Sequence, residues 1–235
     1  MVDPPLVSVV VIVRNGERFL AEALRSILAQ SYRPLEILVV DGQSIDRTAE
    51  IARSFAGVRY FSQPDRGISR AYNFGITQAQ GELIAFISHD DLWMPEKLAR
   101  QVGFLTTHPE CQYTVCRIRY FLEPGCAPPA GFRMELLEQT PAAYIMETLV
   151  ARTPLFARVG LHDPDLPTAG DVDWFARVFD AGEVGHICDE VLVCKRVHDL
   201  NSSLNDRDNN GQLLHSIRLS LQRKRTAVRG SAHLL

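Results

Sequence analysis

The sequence lacks the features that mark a membrane-spanning, secreted or nucleic-acid-binding protein. No apolar run reaches the roughly 18 residues that a transmembrane helix needs. The amino terminus, MVDPPLVSVVVIV, has none of the basic residues that begin a signal peptide. The formal net charge is −3, whereas a nucleic-acid-binding domain usually carries a basic excess. We therefore expect a cytoplasmic protein that binds no nucleic acid.

Cysteine and the common cofactor motifs are also scarce. The five cysteines, an odd number, include no C-x-x-C pair, which argues against a disulfide framework and against a zinc site. The sequence has no His-x-x-x-His, no G-x-G-x-x-G and no G-x-x-x-x-G-K-[ST]. These absences weigh against zinc proteases, dinucleotide-binding dehydrogenases and P-loop enzymes.

The first part of the chain instead shows a regular alternation of strand and helix patterns. Continuous apolar runs, typical of strands buried on both faces, alternate with segments of helical period. The strand patterns lie at 6–13, 35–40, 58–62 and 82–87, and the helix patterns at 17–30, 44–55, 68–78 and 95–107. This order predicts parallel strands joined by right-handed crossovers, with ligands bound beyond the carboxyl ends of the strands.

The second half of the chain is less regular. Strand patterns lie at 112–122 and 190–197, a Pro- and Gly-rich loop at 123–131, and helix patterns at 135–150, 171–181 and 212–229. The last of these has apolar residues near one face and five cations but no acid. Such a helix either lies on an anionic membrane or packs on the domain with a solvated basic face. If the helix lies on a membrane, we expect a cytoplasmic protein that also contacts the inner membrane face peripherally.

Two adjacent acids, Asp90 and Asp91, follow the fourth strand pattern in the sequence SHDD. Neighbouring carboxylates repel each other unless a cation or hydrogen-bond donors compensate their charge. Mg²⁺ or Mn²⁺ is a natural compensator, because a hard cation with oxygen ligands also bridges to substrate phosphates. The alternative is that both acids cap the following turn and helix.

Three further segments carry polar residues at the ends of predicted elements. Asp41 ends the second strand pattern, where it accepts hydrogen bonds from a base or ribose or serves as an ordinary turn residue. GDVDW (170–174) opens a helix with two acids, which supply a general base or only complement the helix dipole. KRVHDLNSS (195–203) ends a strand with cations and His198, which suit phosphate or a metal, although a lone histidine is usually structural.

Taken together, these segments resemble the inverting glycosyltransferases of family 2, which have the GT-A fold. The resemblance lies in VSVVVIVRN (7–15), AEALRSILAQSYRPLEILVVDGQSIDRT (21–48), DRGISRAYNFGITQAQGELIAFISHDDLWMPEKL (65–98), TAGDVDWFARV (168–178) and CKRVHDLNSS (194–203). It covers roughly residues 6–203. Several spaced motifs in the same order are far more specific than any one of them.

The resemblance implies an α/β fold: a single, Rossmann-like GT-A domain with a mostly parallel central sheet flanked by helices and a C-terminal helical extension. The domain would occupy 1–205, with a nucleotide-binding half (1–107) and an acceptor-side half (108–205), and the extension would occupy 206–235. The implied reaction moves a sugar from a nucleotide-diphosphate sugar to an acceptor hydroxyl with inversion. A UDP-sugar is expected because UDP is prevalent in the family, and the acceptor is a sugar, a lipid-linked group or a peptide.

The resemblance also implies roles for individual residues. The implied donor-site residues are Val13, Asn15 and Asp41 in the base pocket, Arg66 and Arg70 beside the nucleotide and its sugar, Asp90 at the ribose and His198 on the phosphate or metal side. Asp90 and Asp91 are the implied ligands of Mg²⁺ or Mn²⁺. Asp171 falls on the position of the catalytic base, and Asp173 points about 200° away on a helix, so only one of the two faces the site.

Four positions depart from the family pattern. Ser88 stands where the first Asp of a D-x-D motif is common, Val13 and Arg14 replace Thr-Tyr, and Gly170 replaces a Glu. Two alternative functions therefore stay open: a metal-dependent nucleotidyltransferase and a non-catalytic sugar-nucleotide-binding protein. The segment VRNGERF is a poor match to the phosphate loop of a nucleotidyltransferase. The presence of Asp41, Asp90, Asp91 and Asp171 argues against a non-catalytic protein.

Overall fold

The computed structural model describes residues 3–129, 131–166, 169–199, 201, 211, 218–221 and 223. The strands of this part of the chain are β1 (Val7–Val13), β2 (Leu35–Asp41), β3 (Val58–Ser62), β4 (Leu83–Ser88), β5 (Leu92–Trp93), β6 (Tyr113–Leu122), β7 (Val150–Arg152) and β8 (Gly185–Val197). Its α-helices are α1 (Leu20–Leu28), α2 (Thr48–Ser54), α3 (Ile68–Gln78), α4 (Lys97–Thr107), α5 (Pro154–Val159) and α6 (Gly170–Asp180).

The eight strands form one sheet in the order β3-β2-β1-β4-β7-β6-β8-β5. Strands β1 to β4 pair in parallel, as do β6 and β8, whereas β5 and β7 pair antiparallel with their neighbours. The predicted α/β architecture with a mostly parallel sheet is therefore confirmed. The β-branched run VSVVVIV occupies the middle of the first four strands and is buried along its whole length.

Helices cover both faces of the sheet. Val9 and Val11 of β1 pack in the hydrophobic cluster that contains α1 and α4, whereas Val10 and Ile12 pack in the cluster with α3, α5 and α6. Each buried Val or Ile side chain contributes about 1.5–3 kcal/mol relative to an exposed one. Alternation along a single strand thus supplies both layers of the core.

The register of the parallel strands places the predicted polar residues at one edge. Val13 lies opposite Asp41 on β2, and Ile12 lies opposite Ser88 on β4. The turns that follow all three strands therefore open on the same side of the sheet, as the strand order predicts.

The predicted helix at 135–150 is wrong. This segment contains two 3-10 turns, Met134–Glu138 and Met146–Thr148, with an extended stretch between them. Pro141 cannot donate a backbone hydrogen bond inside a helix. Its carbonyl instead accepts from the Ile118 amide of β6 at 3.0 Å.

The other differences concern shorter elements. The sequence patterns missed α5, which begins at Pro154, and the two-residue β5, and they started β8 at 190 although it begins at Gly185. Pro154 occupies the first turn of its helix, where a missing amide costs nothing. Both α5 and β5 are too short for a periodic pattern to reveal them.

Most of the predicted helix at 212–229 lies outside the described residues. The described positions within it, 218–221 and 223, are helical, and Arg223 donates to Asp180 of α6 at 2.9 Å. One of the five predicted cations thus packs on the domain, which favours the packing interpretation at that position. None of the helices in the described segments is long and apolar enough to cross a bilayer.

Candidate active site

The loops after β1 and β2 are joined by hydrogen bonds. The Asn15 amide donates to Ser44 Oγ at 2.7 Å, and its side-chain carbonyl accepts from the Ile45 amide at 3.1 Å. Asn15 has a φ of 51°, a left-handed conformation that asparagine tolerates better than most residues. The structure therefore brings the predicted residues Val13, Asn15 and Asp41 together.

Asp41 is buried and bonded to the chain itself. Its Oδ1 atom accepts from the Ser44 amide at 3.0 Å, and its Oδ2 atom accepts from the Tyr60 hydroxyl at 2.6 Å. Burial and the Asp41 contact raise the pKa of Tyr60 to about 12, so this hydroxyl keeps its proton and remains a donor. Asp41 thus fixes the turn that forms one wall of the predicted base pocket.

Two cations stand next to this loop. Arg66 and Arg70 are exposed at the turn before α3 and on its first turn, and neither forms an ion pair within the described part of the chain. Arg66 Nε donates to Gln43 Oε1 at 3.0 Å, which ties the cation to the turn after β2. Guanidinium groups in this setting suit the oxygens of a phosphate.

Asp90 and His198 meet at the end of β4. His198 Nε2 lies 3.0 Å from Asp90 Oδ2, and Asn201 Nδ2 lies 3.4 Å from the same oxygen. Burial acts to raise the pKa of Asp90, but the hydrogen bond from His198 and nearby positive charges hold it well below its usual value. The predicted pair is brought together from distant parts of the sequence, and its carboxylate is ionised.

Asp91, the next residue, has a different environment. It is buried, and its two oxygens accept from Lys195 Nζ at 2.7 Å and from the Arg196 amide at 3.0 Å. The cation beside Asp91 in the structure is the Lys195 ammonium, and the contacts of Asp91 fasten β8 to the end of β4. That Asp91 also binds a metal stays a prediction.

Glu147 completes this cluster. Its Oε1 atom accepts from Ser88 Oγ at 2.7 Å and lies 3.3 Å from Lys195 Nζ. Burial alone would lower the pKa of Lys195, but the surrounding carboxylates raise it well above its usual value. Sequence reasoning missed Glu147, although a single acid inside the apolar run IMETLVA (145–151) was a usable signal.

The two acids at the start of α6 have different contacts. Asp173 is buried in an ion pair with Arg177 at 2.8 Å and lies 3.5 Å from Arg223. Asp171 Oδ1 accepts from the adjacent Val172 amide at 2.8 Å, and Asp171 forms no ion pair among the described residues. Burial, with the charge of Glu147, raises the pKa of Asp171 to about 6. Asp171 thus has the environment of a base that is free near neutral pH.

The donor set suits a divalent cation that shares its coordination with a ligand. No group of three or more His, Cys, Asp or Glu side chains forms a complete metal site in the described segments. Asp90 and His198 offer one carboxylate oxygen and one imidazole nitrogen, a combination that Mn²⁺ accepts alongside phosphate and water. Asp91 and Glu147 both contact the Lys195 ammonium, whose charge also acts on Asp90, so three carboxyl groups share one ammonium.

Comparisons with known sequences show the family to which the chain belongs. The sequence profile described as "Glycosyl transferase family 2" matches residues 8–154. An uncharacterized glycosyltransferase of Rickettsia typhi is 30% identical over 97% of this chain and 77% of its own length. Another, from Rickettsia conorii, is 29% identical over 84% of this chain, which spans only 35% of that relative.

Solved structures share the fold at low sequence identity. S. aureus TarS (1–349) in complex with UDP-GlcNAc superposes with a TM-score of 0.75 at 18% identity, over 92% of this chain and 66% of its own. The mannosyltransferase PcManGT from Pyrobaculum calidifontis, in complex with GDP-Man and Mn²⁺, gives 0.66 at 21% identity, over 97% and 65%. These likenesses confirm the GT-A fold that the sequence predicts.

Proposed function

Because the chain belongs to glycosyl transferase family 2, we propose that it transfers a sugar from a UDP-sugar to an acceptor hydroxyl with inversion at the anomeric carbon. The observation that carries this proposal is the meeting of Asp90, His198 and the Glu147 cluster at the carboxyl edge of the sheet, with Asp171 acting as a separate, weakly acidic group. TarS is titled as a UDP-GlcNAc complex and PcManGT as a GDP-Man complex, which supports a nucleotide-sugar donor.

The nucleotide would lie across the ends of β1, β2 and β4. In this proposal Val13, Asn15 and Asp41 line the base pocket, and Arg66 and Arg70 approach the nucleotide phosphates. Both arginines support this placement because they are exposed and without carboxylate partners in the described segments, and Arg66 also contacts Gln43 in the turn after β2. Their charges would orient the diphosphate before the reaction begins.

Asp90 and His198 would hold Mg²⁺ or Mn²⁺. When bound, a divalent cation offsets the negative charge that develops on the departing diphosphate. Asp91 serves a different purpose, since its bonds to Lys195 and the Arg196 amide fix the strand end that carries His198. The Mn²⁺ in the PcManGT title supports the choice of a divalent cation.

Asp171 would act as the general base. Inversion requires the acceptor oxygen to attack from the face opposite the diphosphate, and a carboxylate within hydrogen-bond reach takes its proton. The pKa of Asp171, raised to about 6, makes this carboxylate a better proton acceptor than an exposed aspartate while it stays ionised at neutral pH. Asp173 cannot share this task in the proposal, because Arg177 already holds its carboxylate.

Incubation with nucleotide sugars tests the proposal without an identified acceptor. With UDP-GlcNAc and with GDP-mannose, in Mn²⁺ or in excess chelator, we expect slow release of the nucleoside diphosphate and free sugar that depends on the cation. Release of pyrophosphate from a nucleoside triphosphate would instead indicate nucleotidyl transfer. Binding of a nucleotide sugar without any turnover would indicate the non-catalytic alternative.

A further inference from the structure

Glu147 stands at the centre of the polar cluster although the proposed mechanism does not use it. It lies on the 3-10 turn Met146–Thr148, and its side chain is only 10% exposed. A buried carboxylate normally needs partners for both oxygens, since a charge without them is costly. The hydrogen-bond partners of its two oxygens therefore indicate what Glu147 does in the site.

The two oxygens of Glu147 differ. Oε1 accepts from Ser88 Oγ at 2.7 Å and lies 3.3 Å from Lys195 Nζ, so it is held from two sides. Oε2 accepts no hydrogen bond from any described residue. The side chain is thus fixed in position through one oxygen while the other stays available to an outside donor.

Glu147 is tied to Ser88 at the end of β4, beside Asp90, and its charge also acts on the proposed base. Among the charged groups that act on Asp171, Glu147 has the largest effect, and it also acts on the buried Tyr72. Asp90, which would face the diphosphate, is instead linked to His198 and Asn201. The chemistry that fits a carboxyl oxygen held at this end of the site is a hydroxyl group that donates one hydrogen bond.

We propose that Glu147 is a specificity-determining residue that accepts a hydrogen bond from a hydroxyl of the transferred sugar through Oε2. The inference rests on the proposed function, because it requires a sugar donor in the site. Ser88 and Lys195 hold the carboxylate in place, so the contact does not require ordering of a free side chain. A sugar without that hydroxyl leaves Oε2 without its donor and binds more weakly.

Binding measurements separate this role from a structural one. Calorimetric titrations of UDP, GDP, UDP-GlcNAc and GDP-mannose compare the wild type with Glu147→Gln, which places an amide donor where a carboxylate oxygen stood. Glu110→Gln, which removes the same charge from an exposed position, is the matched control. For the nucleotide sugar that the wild type binds, we expect affinity about 10- to 100-fold lower in Glu147→Gln and unchanged in the control.

Binding of the nucleoside diphosphate is the second measurement. It lacks the sugar, so Glu147→Gln should bind it as the wild type does. An equal loss for both ligands would place the hydroxyl on the ribose and overturn the assignment to the transferred sugar. Equal affinity of Glu147→Gln and wild type for the nucleotide sugar would overturn the role of Glu147 altogether.

A third measurement uses only the wild type, so its result does not depend on whether Glu147→Gln folds correctly. Analogues of the bound nucleotide sugar, each without one sugar hydroxyl, should include one that binds about 10- to 100-fold more weakly. Equal binding of every analogue would contradict the proposal. Failure of the wild type to bind any of the four nucleotides would contradict the proposed function itself, and the inference with it.

Discussion

His198 Nε2 lies 3.0 Å from Asp90 Oδ2, although 108 residues separate the two in the chain. The ring of His198 is buried against Phe19, with centroids 4.7 Å apart, so its position does not depend on Asp90 alone. In the proposed function, a carboxylate and an imidazole fixed in this way would supply two ligands of the divalent cation. The first prediction follows from this pair.

Asp90→Asn and His198→Gln should each remove the effect of Mn²⁺ on nucleotide binding. In the wild type we expect Mn²⁺ to strengthen binding of UDP, and each variant should weaken that enhancement by at least about tenfold, since each removes a ligand. Calorimetric titration of UDP with and without Mn²⁺ measures the effect. An undiminished Mn²⁺ enhancement in both variants would contradict the assignment.

Asp91→Asn should behave differently. It leaves the buried Lys195 ammonium without its closest counterion, and breaking a buried ion pair costs about 3 kcal/mol. Chemical denaturation should therefore show a large loss in the free energy of unfolding. A variant of wild-type stability that has lost its response to Mn²⁺ would restore Asp91 as a metal ligand.

Lys97 offers a prediction about stability that is independent of function. It is fully buried, its ammonium lies 4.2 Å from the centre of the Trp93 ring, and Nζ has no hydrogen-bond partner among the described residues. Burial lowers its pKa from 10.5 to about 8, which corresponds to roughly 3 kcal/mol of cost while the group is protonated. Lys97→Met should therefore unfold at higher denaturant concentration at pH 7.

The pH dependence of the stability difference between the wild type and Lys97→Met is a second test of the Lys97 pKa. Between about pH 8 and 10.5 the folded state loses the Lys97 proton before the unfolded state does, so wild-type stability should rise with pH relative to the variant. The advantage of Lys97→Met should shrink over this interval. A constant difference between pH 7 and 10.5 would show that the lysine does not titrate as described.

The activity of the wild type should depend on pH through Asp171. Burial and the charge of Glu147 raise its pKa to about 6, and only the ionised form accepts a proton. The value of kcat/KM should therefore fall tenfold per pH unit below about pH 6. Turnover with a nucleotide sugar from pH 4.5 to 8 tests this, and a limb that persists in Asp171→Asn would assign the titration to another group.

The sequence could predict the residues that follow strands, because strand patterns are long and the edge at which parallel strands end is fixed. Asp41, Asp90 and His198 were found in this way, and the structure places the last two together. The sequence could not predict that Asp90 and Asp91 have different partners. The difference depends on Lys195, 104 residues away, which contacts only one of the two.

Glu147 shows the second reason for incomplete prediction. Its place in the site depends on an irregular segment whose apolar spacing suggested a helix, whereas the structure has two 3-10 turns there, with the Pro141 carbonyl bonded to β6 between them. A helix would have turned this acid in a different direction. Irregular segments are fixed by tertiary contacts that no local pattern contains.

The central claim, a sugar transfer for which Asp171 is the base, is tested most directly by comparing Asp171→Asn with Asp173→Asn. The assay is Mn²⁺-dependent release of UDP from UDP-GlcNAc, run below the unfolding temperature of each variant, with nucleotide-sugar affinity measured in parallel. We predict that Asp171→Asn loses at least about 100-fold in turnover with little change in affinity, since it keeps its size but no longer accepts a proton. Asp173→Asn should be less stable, because it breaks the Arg177 ion pair, yet active. An inactive Asp173→Asn beside an active Asp171→Asn, or full activity in both, would contradict the account.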